Sequence, residues 1–438
     1  MPHRTRVARF RVRAFVLAAA VAASTGAVSL PLTQHARAAS LQYWYGTLSS
    51  VDDGDTVYVD ITGDGKGPLP IRNANIQATE MHGAGDRPEC HAVDATNYMK
   101  AMMPHGAKVR LSSYYASSTA GTDPSTGVSR LLRYVDVMNS GGAWVDTQLR
   151  MIQHGLVMAG ADAVENAHYQ TYAVEMQKAM AAHYGLFDTN RCGVGPAAGA
   201  AVPIWIHYEA DGPDGSAPNM EWMRMQNKSN FDVSLSGWHL RDSGHTWYHG
   251  TTYYTFPSYA HISPGHTITI YPGAGTNSAS AGRYYLNVTQ GAFYPNVADP
   301  TLASPGKQMY LLDPQLDFRG WAVYPCLYNC PHPPVHIQYV HYTTSDEFVD
   351  VVVDDGVTSG VDLSGVEVIN DGWSRELDPG TILYPGELLR VYCQRAGTEN
   401  RKQQYWHHSG PMFEDSGDTV VLRTDRSVVL STYAWGTG

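Results

Sequence analysis

The sequence predicts an α+β domain with a small barrel and about three helices, followed by two all-β sandwich domains. Three observations predict this arrangement. Strand-like and then helical patterns fill residues 43–193, helical periodicity disappears after residue 203, and two later segments repeat each other. The length of 438 residues is sufficient for two to four domains of about 100–200 residues each.

Residues 1–38 have the pattern of an export signal. Five arginines without an acidic residue precede an apolar stretch at residues 15–23, and Ala36, Arg37 and Ala38 fit a small-x-small cleavage site. No adjacent arginine pair is present, which favours the general secretory route. No long apolar run follows residue 40, so we expect a secreted, extracellular protein whose mature chain does not span a membrane.

The charge of the mature chain limits how it can bind nucleic acid. Removing the six basic residues of the signal changes the net charge from −11 to −17. Proteins that bind nucleic acid through overall charge attraction are usually basic. Any contact with nucleic acid therefore requires a local basic cleft, helped by a cation.

The five cysteines indicate disulfides, because an exported chain meets an oxidising environment. Cys90 and Cys192 bracket the helical half of the first domain and have no other local partner, so we predict that they pair. The spacing of Cys326 and Cys330 permits a small loop disulfide, but the sequence does not decide which of the three remaining thiols is left over. A zinc site is the weaker alternative, because no second Cys/His pair has suitable spacing.

The first region alternates in polarity and then becomes helical. Strands are predicted at residues 43–50, 56–61, 70–76 and 108–113. Three apolar stripes then have helical spacing, which is typical of core packing. The stripes consist of Ala92, Ala95, Met99 and Met102; of Val145, Leu149, Ile152 and Leu156; and of Tyr169, Tyr172, Met176 and Met180.

Residues 193–203 form a Gly/Ala/Pro-rich linker, and short strands separated by turns follow, as in β-sandwiches. Val-Ser-Leu-Ser-Gly at 233–237 matches Val-Asp-Leu-Ser-Gly at 361–365, and Ser-Pro-Gly at 263–265 matches Tyr-Pro-Gly at 384–386. We therefore predict four segments: a signal peptide at 1–38, the α+β domain at 43–193, and sandwiches at 204–325 and 334–435.

Both repeats resemble the lamin tail domain, a β-sandwich of immunoglobulin type. The resemblance rests on Glu-Trp-Met-Arg-Met-Gln-Asn at 221–227 and Leu-Ser-Gly-Trp-His-Leu at 235–240; the second copy, with Glu-Phe-Val-Asp-Val-Val-Val at 347–353, is more divergent. We expect binding or positioning modules.

An aromatic and histidine-rich stretch of the first repeat has two interpretations. Core or edge packing is favoured, and the alternative is a platform for sugars, cell-wall or extracellular-matrix polymer, or nucleic-acid bases. Its histidines are also a weak candidate for a transition-metal site. The stretch contains Trp238, His239, His245, Trp247, Tyr248, His249, Tyr253 and Tyr254.

Acidic and basic residues of the first domain carry the candidate chemistry. Residues 52–55 place three aspartates around Gly54, either as an acidic turn that caps its own backbone or as ligands of a hard cation such as Ca²⁺. We expect Gly54 to allow a tight turn. Arg72 lies in an apolar strand, where its planar fork suits either phosphate oxygens or a structural ion pair.

Two further arginines lie three residues apart in a predicted strand. Arg130 and Arg133 should face opposite sides if the strand alternation holds, so at most one shares a cleft with Arg72. Taken alone, both arginines and Glu80 would be surface charges.

The order of these residues resembles the staphylococcal nuclease family over residues 43–191. It consists of Asp-Gly-Asp-Thr at 53–56, Arg72, Glu80 eight residues later, Arg130 before Leu-Leu-Arg-Tyr-Val, and the closing Tyr-Gly-Leu-Phe at 184–187. The resemblance implies a five-stranded OB-type barrel with three helices that hydrolyses DNA and RNA with Ca²⁺ and leaves 3′-phosphates.

The resemblance also implies a role for each matching residue. Asp55 would be the principal metal carboxylate, with Asp53 and the Thr56 hydroxyl close to the metal. Arg72 and Arg130 would bind phosphate, and Glu80 would orient or deprotonate the attacking water. Two positions depart from the family: Gln77 replaces its second metal carboxylate, which predicts weaker or altered metal binding, and Thr79 replaces a proline.

The sequence thus predicts a secreted, metal-dependent nuclease with two accessory sandwich domains, with DNA and RNA as substrates. The alternative is a secreted adhesion or scaffold protein whose nuclease fold is weak or inactive; a third hypothesis is a nuclease fold that only binds nucleic acid. The joint presence of Asp55, Arg72, Glu80 and Arg130 favours the enzyme. Gln77 and the acidic net charge favour the alternative.

Overall fold

The structure is a computed structural model. It describes residues 40–82, 87–123, 127–160, 162, 165–188, 192, 198–207, 219, 221–242, 253–287, 307–324, 326–343, 346–370, 373–378, 380–394, 397–408, 410–425 and 428–436. The predicted signal peptide and, in the aromatic stretch, His245, Trp247, Tyr248 and His249 lie outside these residues. No helix in the described part of the chain has the length and hydropathy to cross a membrane.

The first region is a closed five-stranded barrel with three α-helices, as the sequence predicts. The ring runs β3–β2–β1–β5–β7 and closes where β3 pairs in parallel with β7. Alternate residues point inward and fill the interior, among them Leu48, Val57, Ile71, Val109 and Leu111. The strands are β1 (Gln42–Val51), β2 (Thr56–Ile61), β3 (Leu69–Asn73), β4 (Ile76–Ala78), β5 (Lys108–Ser113), β6 (Thr119–Thr122), β7 (Ser129–Met138), β8 (Trp144–Asp146) and β9 (Val157–Ala159).

The helices are α1 (Ala92–Met102), α2 (Thr147–Gln153) and α3 (Tyr169–Ala181), followed by a 3-10 turn at Gly185–Phe187. Helix α2 is shorter than its predicted stripe. Asp146 caps it by accepting the Leu149 N–H at 2.9 Å, so Val145 before the cap belongs to β8. At the other end, Gly155 has φ 64°, and Leu156 follows the helix in the turn that leads to β9.

The strand predicted at 70–76 is two strands, which corrects the sequence-based expectation. Asn75 adopts a left-handed conformation with φ 58° and ends β3. Its side-chain amide donates to the carbonyls of Glu165 at 2.7 Å and Gly160 at 3.0 Å, which holds the turn in place. The turn directs β4 onto β9 instead of along the barrel.

Two sandwiches with the same strand pairing follow the barrel, as fits their predicted repetition. The first contains β10 (Ile204–His207), β11 (Trp222–Gln226), β12 (Val233–Ser234), β13 (His239–Asp242), β14 (Tyr253–Thr255), β15 (His261–Ile262), β16 (Thr267–Tyr271), β17 (Arg283–Tyr285), β18 (Lys307–Leu312) and β19 (Phe318–Tyr324). Its sheets are β10-β11-β16-β17, β12-β15 and β14-β13-β18-β19.

The second sandwich repeats these sheets as β20-β21-β26-β27, β22-β25 and β24-β23-β28-β29. Its strands are β20 (Val335–His341), β21 (Phe348–Val353), β22 (Val361–Asp362), β23 (Glu367–Asn370), β24 (Trp373–Glu376), β25 (Ile382–Leu383), β26 (Leu388–Tyr392), β27 (Gln403–Tyr405), β28 (Gly417–Arg423) and β29 (Val429–Gly436). Both copies contain one parallel pair, β16–β17 and β26–β27.

Buried residues form three cores that correspond to the barrel and the two sandwiches. The barrel core extends into the first sandwich through Tyr310, Leu312, Leu316 and Phe318, so these two domains pack against each other. Trp238 belongs to the core of the first sandwich, in agreement with the packing interpretation of its aromatic stretch.

The predicted Cys90–Cys192 disulfide is present, with a Cα–Cα distance of 5.4 Å. Cys326 and Cys330 form a second disulfide, and Cys393 is a buried thiol.

Candidate functional site

The acidic loop at residues 52–55 lies between β1 and β2 and is stabilised by its own aspartate. One carboxylate oxygen of Asp53 accepts the N–H groups of Asp55 at 2.9 Å and Thr56 at 2.8 Å. Asp53 therefore caps the backbone of its own loop, as the acidic-turn interpretation predicts. Gly54 is required for close packing rather than for a positive φ, because a Cβ there would lie 2.8 Å from the Cβ atoms of Ala78 and Ala95.

Asp55 is the most deeply held acid of the loop, with 2% of its surface exposed. Its Oδ2 accepts the N–H of Ala78 at 2.6 Å, and its Oδ1 accepts the Thr56 hydroxyl at 3.2 Å. The same Oδ1 forms a buried ion pair with Arg72. The pairing of β2 with β3 places Arg72 opposite Thr56 and so next to Asp55, and the turn at Asn75 returns β4 so that Ala78 also reaches this carboxylate.

Arg72 also contacts Gln77, the position where the sequence departs from the nuclease pattern. Its Nη2 donates to Gln77 Oε1 at 2.8 Å and to the Ile76 carbonyl at 3.1 Å. Burial lowers the pKa of Arg72 to about 10, opposed by the charge of Asp53 and assisted by that of Arg130. Arg72 therefore forms the structural ion pair that was one of its two interpretations from the sequence. Its partner is Asp55, and the same guanidinium contacts Gln77.

Arg130 lies on the strand next to Arg72. Because Arg72 is paired with Leu132 across β3 and β7, and alternate residues share a face, the Arg130 side chain starts on the same face as Arg72. It is partly exposed and donates from Nε to the Ala120 carbonyl at 3.0 Å. Burial raises the pKa of Asp53, and the charges of Arg72 and Arg130 oppose this rise, so Arg130 belongs to the same group of residues.

Arg133 has a structural role on the other face, as the strand alternation predicts. It is buried and donates to the carbonyls of Ser118 at 2.9 Å and Ala116 at 2.6 Å, and its guanidinium lies 4.7 Å from the centre of the Trp44 ring. Of the two arginines, Arg130 therefore lies on the same face as Arg72, and Arg133 does not.

Glu80 lies at the end of the segment that follows β4. Its Oε1 accepts a hydrogen bond from Gln77 Nε2 at 3.3 Å, so it joins the same group. Burial raises the pKa of Glu80, and the nearby charge of Arg72 opposes this rise. A carboxylate with a raised pKa is a better proton acceptor near neutral pH than an ordinary surface acid.

The structure adds three residues that the sequence did not indicate. Glu89 accepts the Glu80 N–H at 2.9 Å through its side chain, and Arg241 of the first sandwich pairs with Glu89. Tyr310, also from the first sandwich, is near enough to oppose slightly the lowering of the Arg72 pKa that burial causes. Glu89 reaches Glu80 within the barrel domain, whereas Arg241 and Tyr310 are far away in the sequence and reach the site only because the first sandwich packs on the barrel.

The oxygens around Arg72 are of the kind that hard cations prefer. Asp55 offers a carboxylate, Gln77 an amide oxygen and Thr56 a hydroxyl, and the Arg72 guanidinium contacts the first two. Hence the donor set fits Ca²⁺ in chemistry, with fewer charges than the family pattern. Across the described residues, the single cluster of three Cys, His, Asp or Glu ligand atoms is Cys90, His91 and Cys192, and its two cysteines form the disulfide.

Comparison with protein families places one part of the chain. Residues 197–321 match the lamin tail domain family. The match covers the first sandwich and agrees with its immunoglobulin-like sheets, whereas the nuclease resemblance rests on the barrel and on its residues. No curated protein matches the chain. The fold therefore defines a barrel domain joined to two immunoglobulin-like sandwiches, the first of which matches the lamin tail domain family.

Proposed function

We propose that the protein is a secreted, metal-dependent phosphodiester hydrolase that acts on DNA and RNA. One observation carries the proposal: Asp55, Arg72, Gln77 and Glu80 form a continuous set of contacts on one face of the barrel, with Arg130 on the neighbouring strand. The contacts join residues 55 to 80, and strand pairing places Arg130 on the same side of β7 as Arg72 is on β3, which supports the proposal.

Each residue would act on a charge of the phosphodiester. Arg72 and Arg130 would bind phosphate oxygens through their planar forks and offset the charge that grows in the transition state. Glu80 would hold a water molecule and accept its proton. Ca²⁺, held by Asp55, Gln77 and Thr56 with Asp53 alongside, would supply further positive charge to the phosphate. By resemblance, the products carry a 3′-phosphate.

The test is digestion of single- and double-stranded DNA and RNA with Ca²⁺, with other divalent cations and with chelator. We expect activity that chelator abolishes, and a loss of about 10²–10³ in rate for Arg130→Ala and for Glu80→Ala. Arg110→Ala is the matched control, because Arg110 is a partly exposed barrel arginine that pairs with Asp136 away from the site. Activity indifferent to chelator, or wild-type rates in both site variants, contradicts the proposal.

A second candidate function is adhesion to a cell-wall or extracellular-matrix polymer through the second sandwich. One row of its first sheet contains three partly exposed aromatic rings on adjacent strands, with successive ring centres 5.0 and 5.9 Å apart: His341, Phe348 and Tyr392. The row continues to the buried Tyr405, whose ring centre lies 5.5 Å from that of Tyr392. Arg390 lies 3.7 Å above the centre of the Phe348 ring. Aromatic rows of this kind suit sugar rings.

Cosedimentation with insoluble cell-wall polysaccharide tests this adhesion. Replacing Phe348 and Tyr392 by Ala should lower the bound fraction several-fold, whereas Tyr259→Ala, a single exposed tyrosine of the first sandwich, should leave it unchanged. Equal binding by both variants rules out the aromatic row as the binding surface.

A further inference from the structure

Glu80 and Glu89, which lie before helix α1, are joined by reciprocal hydrogen bonds. The Glu80 N–H donates to the Glu89 side chain at 2.9 Å, and the Glu89 N–H donates to the Glu80 carbonyl at 2.9 Å. Next to them, the Thr79 hydroxyl donates to the Cys90 carbonyl at 2.8 Å. The backbone position of Glu80 therefore depends on where the Glu89 carboxylate is held.

A residue of a different domain holds that carboxylate. Arg241, on β13 of the first sandwich, donates through Nη1 and Nη2 to the two oxygens of Glu89 at 3.2 and 3.3 Å. Both side chains are buried, 6% and 3% exposed, and the guanidinium lies 4.8 Å from the centre of the Tyr310 ring. Each charge depends on the other, because a buried ion without its partner is strongly unfavourable.

We propose that Arg241 is a positioning residue of the candidate active site: it fixes the Glu89 carboxylate, which in turn fixes the Glu80 backbone. The first sandwich is then a structural part of the site rather than only a tethered binding module. This inference rests on the proposed function, since it explains how Glu80 is kept in place. A misplacement of about 1 Å in such a group lowers turnover by as much as about 10²-fold.

The test combines hydrogen exchange with kinetics on the full chain. Arg241→Met should speed exchange of the Glu80 amide by about tenfold or more, because the acceptor of that N–H is no longer held. It should also lower kcat about 10- to 100-fold with little change in KM, because the substrate-binding arginines are untouched. Arg241→Lys keeps the charge and should restore part of the loss.

Arg224→Met is the matched control. Arg224 forms a similar two-point pair across domains, with Glu376 at 2.7 and 2.9 Å, but the pair lies between the two sandwiches. The Arg224→Met variant should have an unchanged Glu80 amide exchange rate and an unchanged kcat. If Arg241→Met does not fold, the comparison of Arg241→Lys with wild type decides, since an unchanged exchange rate and kcat there contradict the positioning role.

The outcomes separate the two proposals. Wild-type protein without hydrolysis overturns the proposed function, and the positioning role falls with it. Active wild-type protein with an Arg241→Met variant of unchanged kcat overturns only the positioning role, even where exchange at Glu80 is faster. Equal losses of kcat in Arg241→Met and Arg224→Met also overturn it, because they show a general effect of weakened domain packing.

Discussion

The two sandwiches have the same strand pairing but different surroundings. The outer face of β13 and β18 in the first sandwich packs on the barrel, and its opposite sheet faces the second sandwich through Arg224 and its partner Glu376. The second sandwich uses its β23–β24 sheet for that contact, and His341, Phe348 and Tyr392 on its other sheet are partly exposed. The repeated sequence therefore gives both sandwiches the same strand pairing, whereas a few outward-facing side chains determine which neighbouring domain each sandwich contacts.

Corresponding rows show how this difference arises. In the first sandwich, His207 stacks on Trp222 with ring centres 5.1 Å apart, and His207 is buried beside Glu367 of the second sandwich. In the second, His341 stacks on Phe348 at 5.0 Å at the surface. Arg390 finds its carboxylate within its own domain, at Asp350, whereas Arg224 takes Glu376 from the neighbouring domain. This sheet of the first sandwich therefore contacts the second sandwich through His207 and Arg224.

The largest expected difference between the copies concerns Asp313. Its carboxylate pairs with Arg319 at 2.8 Å, both side chains are at most 1% exposed, and Arg319 also donates to the Cys192 carbonyl of the barrel domain. Asp313→Ala removes this carboxylate from the buried Arg319, whose other ion pair, with Asp317, is longer at 3.3 Å. We expect a loss of about 3 kcal/mol in the stability of the first sandwich, measured by urea denaturation.

The second sandwich supplies the control for this variant. By strand register, Thr424 stands where Asp313 stands, and Leu430 where Arg319 stands. Thr424→Ala removes the hydroxyl that accepts the Val428 N–H at 3.1 Å and should lower stability by about 1 kcal/mol. Equal losses for the two variants would show that the buried ion pair does not distinguish the copies.

A smaller difference should appear as pH dependence. Burial, assisted by the charges of Arg423 and Arg224, lowers the pKa of His207 from 6.5 to about 3. The nearby Glu367 does not reverse this shift, since its carboxylate also pairs with Arg423. The unfolded chain therefore takes up a proton below about pH 6.5 that the folded chain refuses, so stability falls as the pH is lowered towards 3, by at most about 1.4 kcal/mol per pH unit.

Urea midpoints between pH 7.5 and 4.5 check this dependence. His207→Phe keeps a ring against Trp222 and should reduce the acid-induced loss relative to wild type. His341→Phe, the corresponding change on the second sandwich, should leave the loss as it is in wild type. A His207→Phe variant with the full wild-type loss would assign the pH dependence to other groups.

Sequence patterns identified most secondary-structure elements, because they reflect local physics. Strand alternation fixed β2 and β5, and apolar stripes located α1 and α3. The strand predicted at 70–76 failed because Asn75 turns the chain, and the partners that hold that turn lie 85 and 90 residues away. The order of acidic and basic residues indicated the candidate site residues, but not that Arg72 would pair with Asp55 and Gln77.

By itself, the sequence determined the barrel with its helices, the two repeated sandwiches and the Cys90–Cys192 disulfide, since periodicity, repetition and cysteine placement are properties of the chain. Tertiary structure alone decided that Arg241 reaches Glu89, that Tyr310 lies near Arg72 and that His207 is buried between sandwiches. Contacts between domains depend on which surfaces meet. That choice leaves no local pattern, because one arginine on a strand looks the same whether it faces water or another domain.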